Sequence, residues 1–328
     1  MGQGMIGLAR IGAFAAAFMF AGSAGAADVP WRHAIIEAKS DAGIFMMIEK
    51  GGFAAKQGLK LEIIQFKNDV IALQALLAGD IDSFDGGPSS GIVAAARGAD
   101  VKAIGCEWPG VPYGIFVKKE INAVADLKGK TMAISSPGAA PDVVAHFVLA
   151  KFGVPADSVR FANLGADLDR FKSVVAGVAD GTVVSNEYTP IAEQQGIKLL
   201  LRAKDVVPNY MRICLFSTGK ALADRRDDAA KFMAAEMSSL RYGLAHREEV
   251  VALTRATTGA KPEDPRPAFI YDDAVQSHAI DPDIALPVDK LKWLVEQLVA
   301  SGVLPHPYDV TKMVDPGVRE LALARLKQ

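Results

Sequence analysis

Cysteine is scarce in this sequence, two residues in 328, and histidine nearly so, with five. Neither Cys106 nor Cys214 stands in a Cys-x-x-Cys pair, which removes thioredoxin-type chemistry and cysteine-based zinc sites. His33, His146, His246, His278 and His306 show no His-x-x-x-His or Cys/His spacing, so the chain writes no dedicated zinc or iron site. A P-loop lysine is missing, and with it the usual cradle for nucleotide phosphates. An excess of either charge is missing too: 36 basic residues face 38 acidic ones, with no basic run and no interleaving of aromatic with basic residues. That excludes a nucleic-acid footprint. Past residue 27 no run of about 18 apolar residues occurs, so nothing reads as a retained membrane span.

What is present begins with a leader. Arg10 supplies a thin positive start, Ile11–Ala21 a short apolar core, and Ala24-Gly25-Ala26 a small-x-small site before Ala27 or Asp28. Residues 1–27 read as a secretory signal, too short to stay as a span. The expected location is periplasmic, with the mature protein free to diffuse, because no cysteine stands at the cleavage point to take a lipid. Two cysteines in an oxidising space invite a bridge. Both lie in apolar strand-like runs (VKAIGCEW and YMRICLFS), where the reading preferred is a pair of buried thiols acting as small hydrophobes.

After the leader the chain alternates strand and helix. Strands are expected at Trp31–Ala38, Leu59–Phe66, Ile81–Asp85 and Val101–Cys106, with helices between them, the second opened by Asp69. That alternation predicts an α/β fold with mainly parallel sheets flanked by helices. Trp108–Pro112 (WPGVP) breaks the pattern and reads as a crossing into a second α/β run, from which Met211–Ser217 returns. The expected division is one lobe of residues 28–109 plus 215–328 and another of 110–214. The tail reads as helical over Arg225–Tyr242 and Val288–Ser301, with a turn around Glu248–Thr254 and a Pro-rich connection around Lys261–Pro267. One echo stands out: Leu77-Ala78-Gly79-Asp80-Ile81-Asp82 matches Val175-Ala176-Gly177-Val178-Ala179-Asp180 in pattern, one copy in each half. It places the strand ends Asp85–Gly87 and Ser185–Glu187 at equivalent positions across a cleft.

The candidate binding residues sit at such strand ends, where open α/β sheets take their ligands. The central stretch is IDSFDGGPSSGIVAAAR: Gly86 and Gly87 promise unusual backbone angles and close approach, Pro88 suits a first helical position, and Ser89 follows. Free amides at a helix start favour hydrogen-bond-accepting atoms. Ser40, Asp41 and Ala42 open the first helix. Ser135, Ser136 and Gly138 form a donor-rich loop before a helix expected to start near Pro141, since an earlier start would clash with that proline. Asn186, Glu187 and Tyr188 end a later strand, able either to read a polar guest or simply to begin a helix. Trp108 and Tyr113 flank the crossing, as cleft walls or as core wedges. Asp41 and Asp85 could pair across strands, and capping and turn roles explain them equally well.

The series S-D-A-G-I-F, G-L-K-L-E-I, A-L-L-A-G-D-I-D with its Gly-Gly-Pro turn, G-I-F-V-K, A-D-L-K-G-K-T, S-S-P-G and A-S-G-V-L-P spans about residues 30–315. In that order it resembles the solute-binding proteins of the nitrate/sulfonate/taurine and thiamine-pyrimidine-synthase-like family. The resemblance implies a two-lobed periplasmic binding protein of type II with two crossing segments. It further implies a monomeric receptor, with no catalytic residues and no cofactor, that delivers a small ligand to an ABC permease and its ATPase. Sulfonate-type members often carry Trp-Asp-Pro where this chain has Asn186-Glu187-Tyr188, which departs from that ligand class. A small organic acid, sulfonate or aromatic compound is the expected guest. Since no Arg or Lys lies in the four loops, a neutral or zwitterionic one stays open. The rival readings are a same-fold enzyme of pyrimidine-precursor synthesis and a sensor module for a membrane kinase.

Overall fold

The computed structural model describes residue 1 and residues 29–327; apart from Met1, the expected leader lies outside the described residues. Among the described residues ten strands, β1 (Trp31–Ile36), β2 (Leu61–Phe66), β3 (Ser83–Gly86), β4 (Lys102–Trp108), β5 (Tyr113–Lys118), β6 (Thr131–Ile134), β7 (Arg160–Asn163), β8 (Gly181–Ser185), β9 (Ile197–Arg202) and β10 (Ile213–Ser217), build two five-stranded sheets. Their orders are β2-β1-β3-β10-β4 and β7-β6-β8-β5-β9, so the two halves share one plan. Helices flank both, giving a two-lobed α/β protein. The sheets are mixed rather than wholly parallel. β10 runs antiparallel to β3 and β4, and β5 antiparallel to β8 and β9. These are the strands that arrive directly from the other half, so each enters its sheet from the opposite end.

The repeated Ala-Gly-x-x-Asp pattern has one structural cause. Gly79 and Gly177 turn the chain with φ of +82° and +76°, angles that cost an L side chain dearly. The aspartate that follows then clamps the start of the neighbouring strand. Arg32 N donates to Asp82 at 2.8 Å and Asp82 N donates back to Arg32 O at 2.8 Å. Thr131 N and Asp180 exchange the same two bonds at 2.9 and 2.8 Å. The echo therefore sets the register of β3 against β1, and of β8 against β6.

Three details correct the sequence reading. Cys106 and Cys214 are joined in a disulfide rather than free: they face each other on antiparallel β4 and β10, their Cα atoms 3.8 Å apart. The expected turn at Glu248–Thr254 is a full helix, Arg247–Thr258, and the Pro-rich connection gives way to a second, Arg266–Gln276. Pro267 sits in that helix's first turn, where a missing N–H leaves nothing unpaired. Asp69 does not cap its helix, Asp69–Ala78; Asn68 does, accepting from Ile71 N.

The larger half buries apolar side chains on both faces of its sheet. Phe84 stacks on Phe216 at 5.3 Å on one face, while Trp31, Trp108, Phe232 and Met233 fill the other. Among the described residues no helix is long and apolar enough to cross a membrane.

Candidate functional site

The strand ends of the two sheets enclose two adjoining cavities. The inner one, about 90 Å³, is lined by Asp41, Phe45, Asp69, Asp85, Gly86, Gly87 and Arg212 from the first half and crossing, and by Tyr113 and Ala140 from the second. The outer one, about 650 Å³, shares Glu37, Ala38 and Lys39 with it and continues past Ser40, Asp167, Glu187, Tyr188 and Arg266. Polar contacts hold the halves together around them. Lys39 Nζ donates to Asp167 at 2.9 Å and Ser40 N to Glu187 at 3.1 Å. Asn186 Nδ2 and Arg202 Nη1 both donate to Asp273, at 2.7 and 2.6 Å.

Of the residues expected at the site, Asp41, Ala42, Gly86, Gly87 and Tyr113 line the inner cavity, and Ser40, Glu187 and Tyr188 the outer. Asn186 is spent on the contact with Asp273. Trp108 is buried, lies under the Arg212 guanidinium at 4.2 Å and lines a separate cavity near the crossing. Pro88, Ser89, Ser135, Ser136 and Gly138 line neither of the cleft cavities. Gly86 and Gly87 keep negative φ, contrary to the unusual angles expected of them. They are small for reasons of space, since a Cβ on Gly87 would stand 2.9 Å from Asp69 Oδ2 and one on Gly86 2.2 Å from the Phe84 ring.

The amides expected to grip an anion are largely taken. Gly87 N donates to Asp69 at 3.2 Å, Gly138 N to Asp142 at 2.7 Å, and Ser40 N to Glu187. Gly43 N, in the first turn of helix Ala42–Lys50, donates to Thr254 at 2.9 Å. Side chains of this protein, three of them carboxylates, occupy positions a bound anion would need.

Sequence reasoning missed Lys39, Phe45, Asp69, Arg212 and Asp167, and placed Asp85 only as a possible partner of Asp41. The cue for Asp85 was its place immediately before the Gly-Gly-Pro turn. Arg212 was findable as the one cation in the return crossing YMRIC. It pairs with Asp41, and its Nη1 is buried without a partner among the described residues. The turn also spells Gly-x-Ser-x-Gly over Gly87–Gly91, the spacing of a nucleophile elbow. Ser89 is only 2% exposed, in the first turn of helix Pro88–Ala96, and no described histidine bonds to it, so the activating base is missing.

Behind Asp85 lies a buried acidic cluster. Asp85, Glu107 and Glu236 place oxygen atoms within 4.8 Å of one another, near enough to share one cation or to share protons. Burial pushes Asp85 up to about 8, with Glu107 and Arg212 pulling it back, and raises Glu107 and Glu236 well above the carboxylate range. His33, 3.3 Å from Asp85, is held neutral by burial with its pKa lowered to about 4. At the cleft itself, burial works against both charges of the Lys39–Asp167 pair, yet mutual attraction leaves Lys39 above and Asp167 well below its ordinary value.

Residues 39–250, more than half of the chain, match the model of the family described as NMT1/THI5 like. The chain belongs to the NMT1/THI5-like family. No curated protein matches its sequence. The fold of this NMT1/THI5-like protein is that of solved periplasmic binding proteins. The aliphatic sulphonate binding protein SsuA of Escherichia coli superposes with a TM-score of 0.72 at 20% identity, covering 87% of this chain and 92% of its own. The nitrate-binding protein NrtA of Synechocystis PCC 6803 gives 0.74 at 16% identity, with 90% and 88% covered. The alkanesulfonate-binding SsuA of Xanthomonas axonopodis pv. citri, solved with MOPS, gives 0.73 at 18%, with 87% and 98% covered. These three relatives in fold are binding proteins.

Proposed function

We propose that this protein is an extracytoplasmic solute receptor rather than an enzyme. It captures a small organic acid, sulfonate or aromatic compound in the cleft and delivers it to the permease and ATPase of an ABC importer. The leader over residues 1–27 sends it to the periplasm as a monomer. Residues 28–109 with 215–328 act as one lobe and residues 110–214 as the other, hinged at the two crossings. The observation that carries this reading is the inner cavity, whose walls come from both halves: Tyr113 and Ala140 cover a floor made by Phe45, Asp69, Asp85 and Gly87. A guest there is enclosed only when the halves are together, and enclosure strengthens each polar contact by excluding water.

A micromolar affinity is about −8 kcal/mol, more than a few helix-end contacts of about 0.3–1 kcal/mol each supply in water. Closure around the guest therefore contributes much of the binding. The experiment is a thermal-shift screen followed by small-angle scattering with the best ligand. A ligand at 100 times its dissociation constant raises stability by about 2.7 kcal/mol. The expected scattering result is a smaller radius of gyration, or a narrower spread of sizes, at saturation. Binding with an unchanged profile, or no ligand in the screen, refutes the hinged-receptor reading.

A further inference from the structure

The charges around the cavities do not balance. Lys39 and Arg212, the cations lining the inner cavity, already have partners in Asp167 and Asp41. Asp69 and Asp85 line the same cavity, and among the described residues neither is ion-paired to a lysine or arginine, although Arg212 acts on both and Lys39 on Asp69 from further off. Asp69 spends Oδ2 on Gly87 N and on Ser90 Oγ at 3.3 Å. Both oxygens of Asp85 are buried without a hydrogen bond among the described residues. Two aromatic rings, Phe45 and Tyr113, complete the wall. The outer cavity repeats the imbalance: Glu37, Asp167, Asp169, Glu187, Glu263 and Asp264 face Lys39, Lys261 and Arg266.

Burial raises the pKa of both Asp69 and Asp85, and a cation beside them and beside aromatic faces offsets that burial, drawing both carboxyls to the ionised form while the negative faces of the rings add their attraction. An anion alone would meet the reverse, because the amides it would need are bonded to Asp69, Asp142 and Glu187. We propose that the ligand carries a positively charged nitrogen, seated between Asp69 and Asp85 against the rings of Phe45 and Tyr113. This rests on the receptor reading and narrows it. An apolar cavity of about 150 Å³ takes a benzene ring, so the inner cavity of about 90 Å³ holds a head group such as an ammonium or amidinium. The rest of the molecule extends past Lys39 into the outer cavity. An acidic group on that same molecule falls in the outer cavity, whose wall carries Lys261 and Arg266, so the acid expected from the family is here an amino-bearing zwitterion.

The test is a calorimetric screen of matched pairs at pH 8: taurine with ethanesulfonate, β-alanine with propionate, 4-(aminomethyl)benzoate with 4-methylbenzoate. A wider set of amines, amidines and amino acids accompanies their nitrogen-free counterparts. The expected result is that every ligand found is the aminated member of its pair, by ten-fold or more in affinity. Asp69→Asn and Asp85→Asn should each weaken that binding ten-fold or more. If Asp85→Asn fails to fold, Asp69→Asn, on a half-buried helix end, carries the comparison. Ligands that are anions without a cationic nitrogen overturn this proposal and leave the receptor reading standing. Aminated ligands whose affinity is unchanged by both folded variants also overturn it. If nothing in either series binds, the receptor reading fails and this proposal fails with it.

Discussion

Replacing Glu236 by glutamine should make the protein more stable, and increasingly so as pH rises. Glu236 is 2% exposed and sits with Asp85 and Glu107 within 4.8 Å, beside a neutral His33 and with the guanidinium of Arg212 acting on Asp85 and Glu107. Burial first, and then the like charges of Glu107 and Asp85, raise its pKa well above the unfolded value. The sign follows from linkage. Above about pH 4.5 the unfolded chain releases this proton while the folded chain keeps it, so stability is lost as pH rises. Each pH unit costs about 1.4 kcal/mol until the folded group itself ionises. Glutamine keeps the shape, donates an N–H to its neighbours and titrates nowhere. The stability gap between variant and parent should therefore widen by about 1.4 kcal/mol per unit between pH 5 and pH 7. For a chain of roughly 300 folded residues the melting entropy is about 0.6 kcal/mol per degree, so the gap opens by about 2 °C per unit. Thermal melts of both proteins at pH 5, 6, 7 and 8 measure it. Parallel pH profiles would refute the argument. A variant that becomes less stable with rising pH would show instead that the three carboxylates are ionised around a bound cation.

Three further outcomes follow from contacts already described. Reducing the Cys106–Cys214 bridge, or replacing both by alanine, opens a loop of 108 residues; chain-entropy arguments put the loss at about 2–5 kcal/mol, visible as an earlier urea midpoint with a steeper slope, because the unfolded chain without the cross-link is less compact. Lys39→Met removes the 2.9 Å contact with Asp167 that joins the two halves, so the ligand-free protein should show a larger radius of gyration by scattering; an unchanged radius would show that Asn186 and Arg202 hold the halves without it. Asp82→Ala and Asp180→Ala each unclamp one strand start. Asp82 is the more deeply buried and also meets Arg32 and Arg225, so its loss should cost about 2–3 kcal/mol against about 1 kcal/mol for Asp180 in chemical unfolding.

The sequence showed the two-part α/β plan because strand and helix alternate cleanly, and because prolines and glycine at Trp108–Pro112 interrupt that alternation where the chain changes halves. The Ala-Gly-x-x-Asp echo was readable for a local reason: a left-handed glycine and a strand-clamping aspartate act within a few residues of one another. The site was only half readable. Strand-end loops announce themselves, so Asp41, Gly86, Gly87 and Tyr113, which line the inner cavity, were among the residues expected there. Lys39, Asp69 and Arg212 come together only in three dimensions, from a loop, a helix start and a distant crossing. Which amides stay free was likewise invisible, since Gly87 N is taken by a side chain 18 residues earlier and Ser40 N by one 147 residues later. Helix Arg266–Gln276 hid behind its prolines, although a proline in a first turn is compatible with helix.

The sulfur stitch lies on the very strands from which both connections to the smaller half depart, β4 outbound and β10 on its way home. A door hung on two straps rocks loosely if the straps are fixed to separate boards, and turns about a single axis if one rivet holds both. With Cys106 welded to Cys214, relative sliding of the two straps at their base is blocked, and what survives is rotation. On the hinged-receptor reading proposed above, the freedom that a capturing motion uses is kept, and the freedom that would smear its end point is removed.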